Sequence, residues 1–158
     1  MYMTIKIGKP LLGLSKVEYD LLASEVDVVV YNSWRLDFGL AIRSFDPFLK
    51  ATRGLVELAA ASKENNMRVV FVSSTSSVEV LAAGDTVPEA PVEDHMAAMN
   101  TGYGQSKLAA EGILVTACRQ AGIPVSIARV GQVGGLSRGT GAWPDQPWIS
   151  TAAGIPTT

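Results

Sequence analysis

Short apolar, β-branched runs alternate along this chain with longer stretches whose apolar residues recur every three or four positions. Three runs predict buried parallel strands, because they are short and apolar on both faces. They are Val26-Asp27-Val28-Val29-Val30-Tyr31, Arg68-Val69-Val70-Phe71-Val72, and Pro124-Val125-Ser126-Ile127-Ala128-Arg129-Val130. A weaker candidate covers Met3–Ile7. Helices are predicted between them. Ser15-Lys16-Val17-Glu18 has the form of a capping box and opens a helix to about Ala23. Asp46-Pro47 has the form of an N-cap followed by proline, and Phe48, Leu55, Leu58 and Ala59 then share a face to about Lys63. A third helix runs from about Gly102 to Gln120, with Leu108, Ala109, Ile113, Leu114 and Ala117 on its apolar side and Gly122 as the stop.

Helix–strand alternation of this kind implies crossover connections and a parallel sheet, so the fold class is α/β. The expectation is a partial Rossmann-type, doubly wound parallel sheet, with 1–158 as one partial NAD(P)-binding domain. No Gly-x-Gly-x-x-Gly links a strand to a helix, so the first glycine-rich βα unit is missing from this sequence. Gly131-Gln132-Val133-Gly134-Gly135 follows a strand, but no helical pattern follows it, and a loop is the plainer reading.

Composition narrows the classes. The 158 residues are 47% hydrophobic and 18% charged, with a net charge of −2. That is an ordinary globular mix, without the basic excess that nucleic acid or an anionic membrane surface would attract. The longest apolar runs are far short of the ~20 residues a spanning helix needs. Cys118 and His95 are the sole residues of their kinds, which leaves no disulfide framework and no metal cluster. A soluble, cytoplasmic protein is expected. Cys118 is expected to be buried and inert, and His95 to be solvated in a polar loop beside Glu93 and Asp94. Trp143 and Trp148, with Pro144 and Pro147, suggest an anchored loop.

The chemistry concentrates in Tyr103-Gly104-Gln105-Ser106-Lys107. Positions i and i+4 share a helix face, so an ammonium sits near a phenol. A phenol ordinarily ionises near pH ~10, and a neighbouring positive charge lowers that value, which makes the pair a proton-transfer device. Taken alone, an exposed tyrosine and a solvated lysine are the plainer explanation of the pattern. Context favours the chemical reading. The second strand runs into Ser73-Ser74-Thr75-Ser76-Ser77, and ligands in such sheets bind beyond the carboxyl ends of strands. A hydroxyl there can orient a carbonyl toward the tyrosine, although a polar turn that caps its own backbone also fits. Asn32-Ser33-Trp34 and Arg129-Val130-Gly131 fall on the same edge, as cofactor borders or as plain turns.

Several segments together resemble the terminal thioester reductase domains, members of the extended short-chain dehydrogenase/reductases. These occur in nonribosomal peptide synthetases, polyketide synthases, aminoadipate reductases and carboxylic acid reductases. The segments are Leu11-Leu12-Gly13-Leu14-Ser15, Val28 to Trp34, Phe71-Val72-Ser73-Ser74, Gly102 to Lys107, Ala128 to Gln132, and Gly141-Ala142-Trp143 to Trp148. The resemblance implies NADPH-dependent reduction of a carrier-bound acyl or peptidyl thioester to an aldehyde or alcohol. It implies Tyr103 as the catalytic tyrosine and Lys107 as the lysine that holds the nicotinamide ribose. The hydroxyl member falls at Ser74 or Thr75, and Ser33, Val130 and Gly131 match cofactor-lining positions. A carrier protein or parent synthetase is the implied partner, and no metal is implied.

The chain departs from the pattern where Lys6-Ile7-Gly8-Lys9 replaces an acidic Gly-Asp-Leu stretch. The resemblance also places a glycine-rich loop ahead of Met1 and a substrate subdomain after Trp148, with 141–158 as its start. Weak or absent NADPH binding and impaired turnover are therefore expected. Two other classes stay open: an inactive reductase remnant or interaction protein, and a relative of sugar-nucleotide epimerases and dehydratases.

Overall fold

The computed structural model describes residues 2–62, 66–81 and 86–131. Three parallel strands form one sheet in the order β1 (Val28–Tyr31), β2 (Arg68–Ser74), β3 (Val125–Val130). Helix α1 (Lys16–Glu25) precedes β1, α2 (Asp46–Ala61) links β1 to β2, and α3 (Gly102–Ala121) links β2 to β3. This is the partial Rossmann-type sheet expected. The Trp143–Trp148 stretch and the proposed subdomain start at 141–158 lie outside the described residues.

Local chemistry sets the helix ends. Ser15 Oγ accepts the Glu18 amide at 3.3 Å, and Glu18 accepts the Ser15 amide at 2.9 Å, so the capping box closes. Val26 belongs to this helix end, not to β1, because its amide donates to the Leu22 carbonyl. At α2 the cap differs from expectation. A 3-10 turn over Ile42–Phe45 feeds straight into the helix, which places Asp46 in the first turn and Phe45 at the cap. An acid there still complements the helix dipole. Thr101 caps α3, accepting the Gly104 amide at 3.0 Å, and Gly122 closes it at φ 68°. Met3–Ile7 is not a strand; the Lys6 amide closes a local loop on the Leu12 carbonyl at 2.7 Å instead.

The register places Val29, Val69 and Val125 in one row and Tyr31, Phe71 and Ile127 in the next. These rows face the helices and form the core with Tyr19, Leu55, Leu58, Ala110 and Leu114. On the opposite face Val28 is 51% and Val30 63% exposed. Among the described residues, then, the strands are buried on one face, and the expectation of burial on both is corrected. No described helix is long and apolar enough to cross a membrane. No group of three or more potential metal ligands forms among the described residues.

Candidate active site at the carboxyl edge of the sheet

Arg68 donates its amide to Asp27 and Val69 donates to Pro124. Even-numbered peptide groups of β2 therefore turn to β1, and odd-numbered ones to β3. β1 ends at Tyr31, opposite Phe71, so the Val72 carbonyl faces past the end of its neighbour. A buried carbonyl needs a partner. Lys107 supplies it, its Nζ donating at 2.7 Å.

Lys107 is only 3% exposed. Its ammonium lies 4.6 Å from the Trp34 ring centroid and 4.8 Å from that of Phe71, within cation–π range of both. Burial pulls its pKa down to about 8, and the Glu111 carboxylate pushes it back up. Trp34 is fixed in turn by donating Nε1–H to Ser106 Oγ at 3.2 Å.

Tyr103 sits between two glycines that allow close approach. A Cβ on Gly102 would fall 2.3 Å from the Leu40 carbonyl oxygen, and one on Gly104 would fall 2.4 Å from that of Ser76. The first turn of α3 is thereby pressed between the segment before α2 and the 3-10 turn Thr75–Ser77. Tyr103 is 8% exposed, with Phe38 and Phe45 edge-on at 5.1 and 6.1 Å. Burial raises its pKa, and a side-chain hydrogen bond with Ser74 lowers it. Lys107 Nζ is 5.7 Å from the phenol ring centroid. In this structure burial, not the ammonium, dominates the phenol.

Of the two candidate hydroxyls, Ser74 is the one that bears on the Tyr103 phenol, and its Oγ also accepts the Ser76 amide at 3.2 Å, as a turn that caps its own backbone does. Thr75 is exposed in the turn, its methyl lying 3.7 Å from where a Gly131 Cβ would stand. Val130 is paired with Ser74 at the end of β3, and Ser33 is exposed just beyond β1, so both lie on the same edge. The sequence reading placed Asn32-Ser33-Trp34 on this edge without assigning the Trp34 ring a role, and it missed Glu111. Trp34 directly follows Ser33, and Glu111 stands four residues beyond Lys107 on the same helix, so spacing alone carried a signal for the second. Cys118 is exposed, contrary to expectation. It lies beside a cleft of about 930 Å³ between β3, α3 and residues 87–91.

Residues 5–155 match the family of NAD-binding domains described as male sterility protein. The chain is 40% identical over 139 residues to a carboxylic acid reductase of Neurospora crassa, covering 87% of this chain and 13% of that protein. It is 36% identical over 141 residues to the adenylate-forming reductase Nps11 of Serpula lacrymans, covering 87% and 12%. Among solved structures it is similar to the terminal R domain from the myxalamid PKS-NRPS biosynthetic pathway. That match has 31% identity and a TM-score of 0.75, and covers 96% of this chain and 38% of that one. The chain thus spans about an eighth of the length of these two curated relatives. With the Tyr-x-x-x-Lys helix, the parallel sheet and these relatives in agreement, the chain belongs to the male sterility protein family of NAD-binding domains.

Proposed function

We propose that this chain carries the proton-transfer site of an NADPH-dependent reductase. Its substrate is an acyl or peptidyl thioester on a carrier protein, and its product an aldehyde or alcohol. The carrier or a parent synthetase is its partner. The observation that supports this is the convergence of Ser74, Tyr103 and Lys107 at the carboxyl edge of the sheet.

The residues present fit one end of the cofactor. Two hydroxyls and an ammonium suit a ribose diol and the reacting carbonyl. Neither β1 nor β2 runs through a glycine-rich turn directly into a helix N-terminus, the usual seat of a diphosphate, and the Gly131–Gly135 cluster after β3 lies outside the described residues beyond Gly131. Lys107, Ser33, Val130 and Gly131 would border the nicotinamide-ribose half. NADPH, when bound, supplies hydride. Tyr103 would donate its phenolic proton to the carbonyl oxygen as negative charge develops there, and Ser74 would hold the same oxygen through its hydroxyl. The carbon–sulfur bond of the resulting hemithioacetal then breaks: its hydroxyl proton would return to the Tyr103 phenolate, the carrier sulfur would leave as thiolate and take a proton from water, and the aldehyde remains.

Tyr103→Phe keeps the ring packed against Phe38 and Phe45 and removes only the hydroxyl. Turnover of an acyl-pantetheine thioester, followed by NADPH oxidation, should fall about 10²–10³-fold. An undiminished rate would remove Tyr103 from the mechanism. Calorimetric titration with NADPH should give weak binding, and micromolar affinity would show that the diphosphate has a seat elsewhere in the chain.

A further inference from the structure

Glu111 follows Lys107 by one helical turn and has no part in the chemistry above. It is 3% exposed. A carboxylate so deep is tolerated only when paired and hydrogen-bonded. Its donors come from three elements. Ser73 Oγ at the end of β2 and Ser77 Oγ in the following turn, at 2.7 Å, both reach Oε1. Arg129 on β3 reaches Oε2 through Nε at 3.1 Å and Nη2 at 2.8 Å. Ser77 Oγ also lies 2.8 Å from the Ser74 carbonyl oxygen. The turn that carries Ser74 therefore hangs on this carboxylate. Successive turns of α3 grip successive residues of β2, Lys107 at Val72 and Glu111 at Ser73.

We propose that Glu111 is a positioning residue for the candidate site. It fixes the Ser74 turn against Tyr103 and sets the field at the Lys107 ammonium, with Arg129 as the opposing charge. The inference deepens the reductase reading and rests on it for what is positioned, but its test requires no turnover. The groups facing Lys107 are the Trp34 ring from the segment after β1, Phe71 and the Val72 carbonyl from β2, and Tyr103 and Glu111 from its own helix. Arg129 stands behind Glu111 from β3. The field is thus a carboxylate opposed by a guanidinium, and the two can be removed separately.

The full chain is labelled with ¹³C-lysine, and the Lys107 ε-methylene resonance, assigned by its loss in Lys107→Arg, is followed against pH. Glu111→Gln keeps the shape and leaves Arg129 unopposed, so the Lys107 titration should move down by on the order of one unit. Arg129→Met leaves the carboxylate unopposed, so it should move up. Arg129→Lys should restore the starting value. A brace that only maintains packing predicts something different: either variant would admit water and move Lys107 up toward its ordinary value. Shifts of the same sign, or none, overturn the proposal. If Glu111→Gln does not fold by circular dichroism, Arg129→Lys decides against Arg129→Met: it disturbs the packing but keeps the charge, so Lys107 should stay at its starting value, and a rise in both Arg129 variants overturns the proposal. Absence of reductase activity would sink the proposed function and leave this result standing.

Discussion

Two glycines on α3 offer opposed outcomes for one substitution. At Gly104 an added Cβ meets the Ser76 carbonyl oxygen at 2.4 Å, the Ser76 carbonyl carbon at 3.1 Å and Thr101 Oγ1 at 3.2 Å. Ordinary contact is ~3.5 Å, so the Ser76 turn must retreat by about 1 Å. The obstacle is backbone, which cannot rotate aside, and overpacking of this kind costs about 1–3 kcal/mol. Retreat also moves the Ser74 turn away from Tyr103. The better helix propensity of alanine returns at most about 1 kcal/mol. Strain wins, with a net loss of about 1 kcal/mol. Gly112 lies mid-helix and exposed, with nothing within 4 Å of its added Cβ, so only the propensity gain of about 1 kcal/mol remains. A gap of ~2 kcal/mol at ~2–4 °C per kcal/mol separates the two melting temperatures by roughly 4–8 °C. Thermal unfolding by circular dichroism measures it. The Tyr103 phenol should also titrate higher in Gly104→Ala and be unchanged in Gly112→Ala. Equal stabilisation by both alanines would refute the close approach of α3 to the Ser76 turn.

Lys107 is held at about 8, below its ordinary 10.5, so the unfolded chain binds this proton more tightly. Stability should therefore rise as pH climbs from about 8 toward 10, and Lys107→Met should remove that rise in melts across the window. Burial pushes the Tyr31 phenol up to about 12, so the unfolded chain ionises it first. Stability should fall as pH climbs above about 10, and Tyr31→Phe should flatten that fall; Thr52 still donates to the Phe48 carbonyl that Tyr31 leaves.

What the sequence made legible was local. Ser15 with Glu18, and Gly122 after α3, act within a few residues, so their patterns determine their structure. The parallel alternation is similarly plain in the spacing of apolar runs. The uncovered face of the sheet was not legible, because Val28 and Val30 are as apolar as Val29 and hydrophobicity does not say which neighbours are present. Cys118 follows buried Ala117, but one residue along a helix is ~100° around it, enough to bring it to the surface. Ser74 and Thr75 were indistinguishable by motif, because the choice depends on how far β2 continues past Val72 before the turn begins. The role of the Trp34 ring and the whole of Glu111 escaped because their partners are remote in the chain: Ser106 for Trp34, and Ser73 and Arg129 for Glu111.

The Val72–Lys107 bond bears on what selection can see. Loss of this lysine would leave a buried carbonyl without a donor and a hole between Trp34 and Phe71, whether or not any reaction takes place. Purifying selection on foldedness alone would therefore preserve it in a lineage that had abandoned catalysis. The Tyr103 hydroxyl has no such protection, since phenylalanine fills the same space. In descendants of this chain a drift to phenylalanine at 103 with lysine kept at 107 would mark lost chemistry, and the lysine by itself would testify only to a sheet still intact.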